Sequence, residues 1–237
     1  MFLTHIIAKV IKMIKRTRQK MVVFDLDGTL IDTAPDLIAS AREVICEIIN
    51  VEIDPETSRK FIGKGGEYFI KKNLEFNNIS LEQSKIEKLI SQFLLIYEKN
   101  ISNKSSLYPN VIKTLNWLKD NDYVLNICTN KPEKLAKIIL DDFKVIRYFD
   151  EIIGGDTLAQ NKPNPLPLLT IMKNHNIKPL NTLMVGDTTT DILTAKNCNV
   201  RSVCVDFGYF DEKIPGVEAD FLISDLFEIR EILLQNY

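Results

Sequence analysis

The sequence of 237 residues has few cysteines, and none of them are paired at metal-binding spacing. The four cysteines, Cys46, Cys128, Cys198 and Cys204, form no Cys-x-x-Cys motif. This absence speaks against a zinc site and against a thioredoxin-type redox site. A chain of this length also folds without disulfide bonds. We therefore expect reduced, mostly buried thiols and a cytoplasmic protein.

The chain also lacks a long apolar run and an excess of charge of one sign. No apolar stretch approaches the roughly 18–20 residues that a membrane-spanning helix needs. The 30 basic and 32 acidic residues give a net charge of −2, whereas a dedicated nucleic-acid-binding protein is usually basic. The two histidines, His5 and His175, are expected at the surface. We predict a globular protein with no nucleic-acid partner and no membrane span.

Residues 1–20 differ from the rest because they carry six basic residues and no acidic one. Their apolar residues recur at helical spacing, so a basic amphipathic helix is one interpretation. Such a helix can lie on an anionic membrane surface, and a transit-type presequence has a similar composition. We favour a weakly structured N-terminal extension, upstream of a later start at Met13 or Met21, and keep peripheral membrane association as the alternative.

From Met21 onward, short apolar runs alternate with helical patterns. This alternation indicates βαβ units and an α/β fold whose parallel sheet is covered on both faces. Such a sheet binds its ligand at the carboxyl ends of the strands. The predicted strands are Met21–Leu26, Tyr123–Cys128, Glu151–Gly154, Thr182–Val185, Val200–Val205 and Phe221–Ile223.

Residues 35–104 interrupt the alternation, because they contain helical patterns but no convincing strand. They predict an all-helical insert in a core formed by residues 21–34 and 105–237. Glycines within residues 62–67 indicate a flexible tip between the two long helices of this insert.

Capping residues mark where the two long helices of the insert are expected to begin. Thr33 and Asp36 suit a capping arrangement at the start of the first helix. Ser80 and Gln83 suit a capping box for the second helix, predicted over Ser80–Lys99. An apolar stripe along the second helix predicts the face that it buries.

The strongest local signal is Val22-Val23-Phe24-Asp25-Leu26-Asp27-Gly28-Thr29-Leu30. Asp25 and Asp27 follow an apolar strand with a spacing of two, so their side chains are expected to point the same way. Two carboxylates held close together repel each other and need a cation or a shared proton. A hard dication such as Mg²⁺ suits oxygen ligands, and a carboxylate can also attack phosphorus.

Three other strand ends supply groups that match these two aspartates. Thr129 and Asn130 offer a hydroxyl and an amide that can bind phosphoryl oxygens. Lys162 can neutralise phosphate charge. Asp187 is a candidate metal ligand, and Asp191 is either a second acid or a stabiliser of a helix N-terminus.

Taken together, these residues resemble the haloacid dehalogenase superfamily of phosphatases. The resemblance covers nearly the whole chain from Met21, and it includes four motifs in order. The helical insert lies where that superfamily places its C1 cap. The resemblance implies a Rossmann-like core with a parallel sheet, a helical cap that closes over the active site, and a Mg²⁺-dependent phosphatase.

The resemblance also implies a role for each acidic residue. Asp25 resembles the nucleophile that forms an aspartyl-phosphate, and it is also a Mg²⁺ ligand. Asp27 resembles the general acid and base, with its backbone carbonyl on the metal. Asp187 resembles the carboxylate that completes the Mg²⁺ site, and Asp191 resembles the acid that supports it.

The phosphoryl group is expected to bind Thr129 and Lys162, which resemble the superfamily's phosphoryl-binding pair, with Asn130 beside them. Substrate choice is expected to lie in the insert. Lys64 and the backbone amides of Gly63 and Gly65 suit a small anionic group such as a carboxylate. The competing interpretation is that these glycines only shape a loop. Lys131, at the mouth of the cleft, is another candidate for this group, but we favour a surface lysine.

Smaller features are similar to those of phosphoglycolate phosphatases. Asp27 also separates the phosphate-monoester hydrolases of the superfamily from its dehalogenases. The resemblance therefore implies hydrolysis of 2-phosphoglycolate to glycolate and phosphate. The alternatives are a pyrophosphatase, nucleotidase or sugar phosphatase, or an isomerase similar to β-phosphoglucomutase. The features are Tyr108-Pro109, Thr129-Asn130-Lys131-Pro132, Lys162-Pro163-x-Pro165 and Gly208-Tyr209.

Overall fold

The computed structural model describes residues 19–49, 52–209 and 216–236. The basic extension expected over residues 1–20 lies outside these ranges, except for its last two residues. Within the described ranges, each helix is too short or too polar to cross a bilayer.

A parallel sheet of six strands forms the centre of the described structure, in the order β5-β4-β1-β6-β7-β8. All six strands predicted from the apolar runs are present, and the predicted α/β fold is confirmed. The central strand β1 pairs with β4 on one side and with β6 on the other. The described strands are β1 (Met21–Phe24), β2 (Ile31–Asp32), β3 (Ser106–Leu107), β4 (Val124–Cys128), β5 (Glu151–Ile153), β6 (Thr182–Gly186), β7 (Arg201–Val205) and β8 (Phe221–Ile223).

Strand β1 is buried along its whole length, which explains why its sequence is a continuous apolar run. Val22 and Phe24 belong to one hydrophobic cluster, whereas Met21 and Val23 belong to another. This division follows the period of two, because successive side chains of a strand point to opposite faces of the sheet. Helices therefore cover both faces, and the carboxyl end of β1 lies at the middle of the sheet edge.

The described helices fall into two groups along the chain. Four of them, α1–α4, lie between β2 and β3, and we call this group the helical insert. The other five connect or follow the strands of the sheet. The helices are α1 (Ala34–Ile49), α2 (Pro55–Arg59), α3 (Gly66–Phe76), α4 (Gln83–Asn100), α5 (Val111–Asp120), α6 (Glu133–Asp142), α7 (Leu166–His175), α8 (Thr189–Asn197) and α9 (Ile229–Asn236).

The helical insert is joined to the core by the antiparallel pair of β2 and β3. Neither strand was expected from the sequence, because each is only two residues long. Beside this pair, the carboxylate of Asp36 accepts hydrogen bonds from the backbone N–H groups of Lys104 and Ser105, at 2.9 and 2.7 Å. The two ends of the insert are therefore tied together where they leave the core.

Helix α1 begins at Ala34, directly after Thr33 as predicted, but the side chains of Thr33 and Asp36 bond elsewhere. Asp36 bonds to the far end of the insert, and the Thr33 N–H donates to the hydroxyl of Tyr209.

The capping prediction for the second long helix is wrong. Helix α4 begins at Gln83, follows Glu82, and has no side-chain cap. Asn78 takes a left-handed conformation (φ 56°) after α3, and residues 79–82 form an irregular connection to α4. The side chain of Gln83 donates to Glu87 within α4, so it does not cap the helix.

The hydrogen bonds of Asp36 are expected to stabilise the connection between insert and core. Asp36→Ala leaves the N–H groups of Lys104 and Ser105 without their charged acceptor, so we expect the free energy of unfolding to fall by about 2–4 kcal/mol. Urea denaturation measures this loss. The matched control is Asp120→Ala at an exposed position, and a loss no larger than that of the control would contradict the prediction.

Candidate active site

The loop after β1 carries both aspartates of the strongest sequence motif. The strand ends at Phe24, so Asp25 and Asp27 are loop residues, and the alternation of a strand does not explain their common direction. The turn depends on Gly28, which has φ +84° and where a Cβ would lie 2.2 Å from Asp187 Oδ2. Only glycine therefore allows this loop to pass so close to the end of β6.

Three buried carboxylates meet at the carboxyl ends of β1 and β6. One oxygen each from Asp25, Asp187 and Asp191 lies within 4.8 Å of the others. Burial raises the pKa of Asp25 to about 7, although Lys162 opposes this shift. Burial also raises the pKa of Asp187 well above its usual range, and Asp191 and Asp25 add to the effect by repulsion. The cluster therefore favours a bound cation or proton.

The buried ammonium of Lys162 faces this cluster. Its Nζ lies 2.9 Å from Asp25 Oδ1 and 2.5 Å from Asp191 Oδ1. Burial disfavours the charge, but Asp191 and Asp25 outweigh burial and raise the pKa of Lys162. One ammonium balances only part of three carboxylates. The remaining negative charge and the hard oxygen donors fit a divalent cation such as Mg²⁺.

Asp191 has both of the functions that the sequence left open. One of its oxygens accepts from Lys162, while the other accepts from the backbone N–H and the hydroxyl of Thr188. The second set of contacts forms a capping box at the start of α8. The helix cap therefore fixes the carboxylate that holds Lys162.

Tyr209 is a residue of this site whose contacts the sequence did not predict. Its backbone N–H donates to Asp187 Oδ2 at 2.8 Å. Its hydroxyl accepts from the Ala34 N–H and donates to Asp32, each at 2.9 Å. Tyr209 thus links the acidic cluster to the start of α1. The available signal was its place just after β7, whose carboxyl end meets the site.

Asp27 lies beside Asp25 and is 8% exposed. Its Oδ1 accepts from the hydroxyl of Thr33 at 2.6 Å and from Lys131 Nζ at 2.9 Å. Lys131 also donates to the hydroxyl of Tyr97 at 2.7 Å. The expectation that Lys131 is a surface lysine is wrong, because the cavity between core and insert encloses it and leaves it 5% exposed.

A cavity that opens to solvent lies above Asp25 and Asp27. Thr129 and Asn130 line its core side, and Thr129 accepts from the Lys131 N–H through its hydroxyl. The amide nitrogen of Asn130 donates to the carbonyls of Gly63 and Lys162, each at 3.1 Å. In this arrangement the Asn130 side chain joins the insert to the core and has no further hydrogen to offer a phosphoryl oxygen.

The predicted specificity residues of the insert lie on two sides of one loop. Gly63 and Gly65 line the cavity and approach the core closely, since a Cβ on Gly63 would lie 3.2 Å from the side chain of Thr188. Lys64 is exposed, and its Nζ lies 5.3 Å from the ring centroid of Tyr68. Lys64 is therefore not among the residues that line the cavity.

A sequence profile of the haloacid dehalogenase-like hydrolases matches residues 22–205. The chain belongs to this family. The match spans the motif loop, the helical insert and strands β4 to β7. It confirms the family that the sequence motifs indicated, and the protein is an enzyme of the hydrolase class.

Two curated relatives of this chain and one solved structure similar to it agree with that assignment. A phosphoglycolate phosphatase of Mesorhizobium japonicum is 38% identical over 204 residues, which are 86% of this chain and 90% of the relative. Phosphoglycolate phosphatase 1 of Pseudomonas aeruginosa is 36% identical over 218 residues, 90% of this chain and 78% of the relative. The crystal structure of a predicted phosphoglycolate phosphatase from Haemophilus somnus has a TM-score of 0.84 at 30% identity, and the similarity covers 92% of this chain and 99% of that one.

The pKa of Asp25 predicts how the stability of the metal-free hydrolase depends on pH. Its folded-state pKa of about 7 lies above the ordinary value of 3.8, so the folded state binds the proton more tightly. The carboxylate therefore destabilises the fold increasingly as the pH rises from about 4 to about 7. In EDTA we expect Asp25→Asn to be more stable than wild type at about pH 8 and to lose most of that advantage at about pH 5.

Urea unfolding of both proteins at the two pH values measures this effect. Asp120→Asn, at an exposed position, is the control and should match wild type at both. The same stability difference between Asp25→Asn and wild type at both pH values would contradict the assigned pKa.

Proposed function

We propose that this hydrolase removes phosphate from small phosphate monoesters, with Asp25 as nucleophile, and that its substrate is 2-phosphoglycolate. The observation that carries the proposal is the pair of buried aspartates on one cavity floor. Asp25 is ion-paired with Lys162. Asp27 lies beside Asp25 and accepts hydrogen bonds from the Thr33 hydroxyl and the Lys131 ammonium. The names of the curated relatives support the same substrate.

The acidic cluster would hold the Mg²⁺ of this reaction. Asp25 and Asp187 would supply carboxylate ligands, Asp27 its backbone carbonyl, and Asp191 would support the set. Three buried carboxylates against one ammonium are the observation that fits a dication here. When bound, Mg²⁺ supplies positive charge that neutralises the phosphoryl oxygens.

The protein's own residues carry the two halves of the reaction. A carboxylate oxygen of Asp25 attacks phosphorus, the bond from phosphorus to the ester oxygen breaks, and Asp27 gives its proton to the leaving alkoxide. Asp27 then takes a proton from the water that attacks the aspartyl-phosphate, which releases phosphate and restores Asp25. The Thr129 hydroxyl and the Lys162 ammonium hold phosphoryl oxygens throughout.

We propose further that residues 35–104 act as a cap on a catalytic core of residues 21–34 and 105–237. Two contacts across the cavity support this division, Asn130 with Gly63 and Lys131 with Tyr97. Closure of a cap excludes water and completes the site around the substrate. We place the enzyme in the cytoplasm, a proposal supported by its four cysteines, none of which forms a disulfide bond in the described structure.

A panel of phosphate compounds tests the proposed substrate and mechanism. We expect phosphate release from 2-phosphoglycolate in Mg²⁺ to exceed release from pyrophosphate, nucleoside monophosphates and hexose phosphates. Asp25→Asn abolishes turnover, because an amide does not attack phosphorus. Asp27→Asn lowers kcat by roughly 10²- to 10⁴-fold, because the general acid is lost.

Asp120→Asn is the control for these variants and should keep wild-type activity. Full activity of a freshly prepared Asp25→Asn protein, with deamidation excluded by mass spectrometry, would sink the mechanism. A strong preference for another member of the panel would keep the mechanism and discard 2-phosphoglycolate.

Cation binding at the cluster predicts a second result. A ligand that binds only the folded state stabilises it by RT ln(1 + c/Kd) at a free ligand concentration c, so the melting temperature rises with that concentration. We expect Mg²⁺ to raise the melting temperature of wild type and to have little effect on Asp187→Asn, which loses one carboxylate of the set. Thermal unfolding with and without Mg²⁺ measures the shift, and an undiminished shift in Asp187→Asn would place the cation elsewhere.

A further inference from the structure

Lys131 and Lys162 are the two buried lysines among the described residues. The proposed reaction assigns a role only to Lys162, which pairs with Asp25 and Asp191. Lys131 lies in the cavity wall at 5% exposure, where its ammonium pairs with Asp27. A buried ammonium is stabilised by nearby anions. Asp27 supplies one, and a substrate in the cavity that Lys131 lines can supply a second.

Lys131 and Tyr97 both line the cavity, and their contacts leave one hydrogen on each for a further bond. An ammonium has three hydrogens. One points to Asp27 Oδ1 at 2.9 Å and another to the Tyr97 hydroxyl at 2.7 Å. The Tyr97 oxygen accepts this bond and keeps its own proton for donation. Burial raises the pKa of Tyr97 well above its usual range, so the hydroxyl stays neutral.

The position of Lys131 relative to the ester oxygen defines the substrate chemistry. In the proposed reaction Asp27 gives its proton to that oxygen, and Lys131 is one hydrogen bond away from Asp27. In the phosphate ester of a 2-hydroxy acid, the carboxylate carbon is two bonds from the ester oxygen. The substrate carboxylate is therefore within reach of Lys131 Nζ when the ester oxygen lies at Asp27.

The other side chains on the insert side of the cavity offer few hydrogen-bond donors to a buried carboxylate. Ile62, Phe69, Phe93 and Leu94 supply apolar side chains to the insert side of the cavity. Lys64, the lysine expected from the sequence to meet this group, is exposed and lies over Tyr68. A carboxylate buried in an apolar cavity needs charged or hydroxyl donors, and Lys131 and Tyr97 supply both kinds.

We propose that Lys131 and Tyr97 bind the carboxylate of a phosphorylated 2-hydroxy acid and set the preference for such substrates, an inference that rests on the proposed phosphatase function. Lys131 belongs to the core, whereas Tyr97 lies on α4 of the insert. The substrate carboxylate therefore joins the two halves of the cavity, and only carboxylated substrates gain this contact.

A matched pair of substrates tests the assignment. 2-Phosphoglycolate carries the carboxylate, and ethyl phosphate has a methyl group in its place. The readout is the ratio of kcat/KM for the two. We expect Lys131→Met to lower this ratio by about 10- to 150-fold, the value of a hydrogen bond to a charged group. Tyr97→Phe lowers it less, and Lys131→Arg retains part of it.

Lys134→Met is the control, because Lys134 also joins the core to α4, through Glu98, but is exposed. This variant should keep the wild-type ratio. Equal losses on both substrates in Lys131→Met would overturn the proposal, since a lysine that only positions Asp27 affects every ester alike. A lower ratio in Lys64→Met with no change in Lys131→Met would also overturn it.

Binding tests the same point without turnover and separates the two proposals. In Mg²⁺, calorimetry compares 3-phosphonopropionate, a non-hydrolysable analogue with the carboxylate, with propylphosphonate, which lacks it. We expect Lys131→Met to weaken the first by about 10- to 150-fold relative to the second. Selective binding without hydrolysis supports the carboxylate site and rejects the phosphatase proposal. Hydrolysis of both esters with equal efficiency by wild type rejects the carboxylate site and retains the phosphatase.

Discussion

The ion pairs of Lys162 with Asp25 and Asp191 are the contacts on which the rest of the site depends. The sheet brings carboxylates from two neighbouring strand ends into one buried volume, and this arrangement is unfavourable unless positive charge accompanies it. The same crowding explains Gly186, because a Cβ there would lie 2.2 Å from Asp191 Cγ. The site therefore has one constraint: the backbone must pass close to the buried carboxylates, and the Lys162 ammonium must lie between them.

The joint between core and insert shares residues with this charged centre. Thr33 stands at the start of α1 and contacts both Asp27 and Tyr209. Tyr209 in turn contacts Asp187. A shift of the insert relative to the core would therefore change the hydrogen bonds of Asp27 and Asp187 directly. Asp36 holds the two ends of the insert together beside this joint, since it accepts hydrogen bonds from the Lys104 and Ser105 N–H groups.

The two walls of the cavity have different chemistry. The core supplies carboxylates, hydroxyls and ammonium groups from loops that rigid strands hold in place. The insert supplies mostly apolar side chains, with Tyr97 as a hydroxyl donor among them. A cavity of this kind is specific through a few well-placed polar groups, because each one left unpaired in an apolar surrounding is costly.

The sequence by itself determined the strands, the order of the polar strand ends and the run of helices between residues 35 and 104, because apolar runs, helical periodicity and turn chemistry are local properties. It also pointed to Asp25, Asp27, Lys162 and Asp187 as neighbours, since parallel strands end at one edge. It did not determine the partner of Asp36 or the burial of Lys131. Only the tertiary structure decided these, because they depend on which loops meet across the cavity. Lys131 and Asp27 are 104 residues apart in sequence, and no local pattern records such a contact.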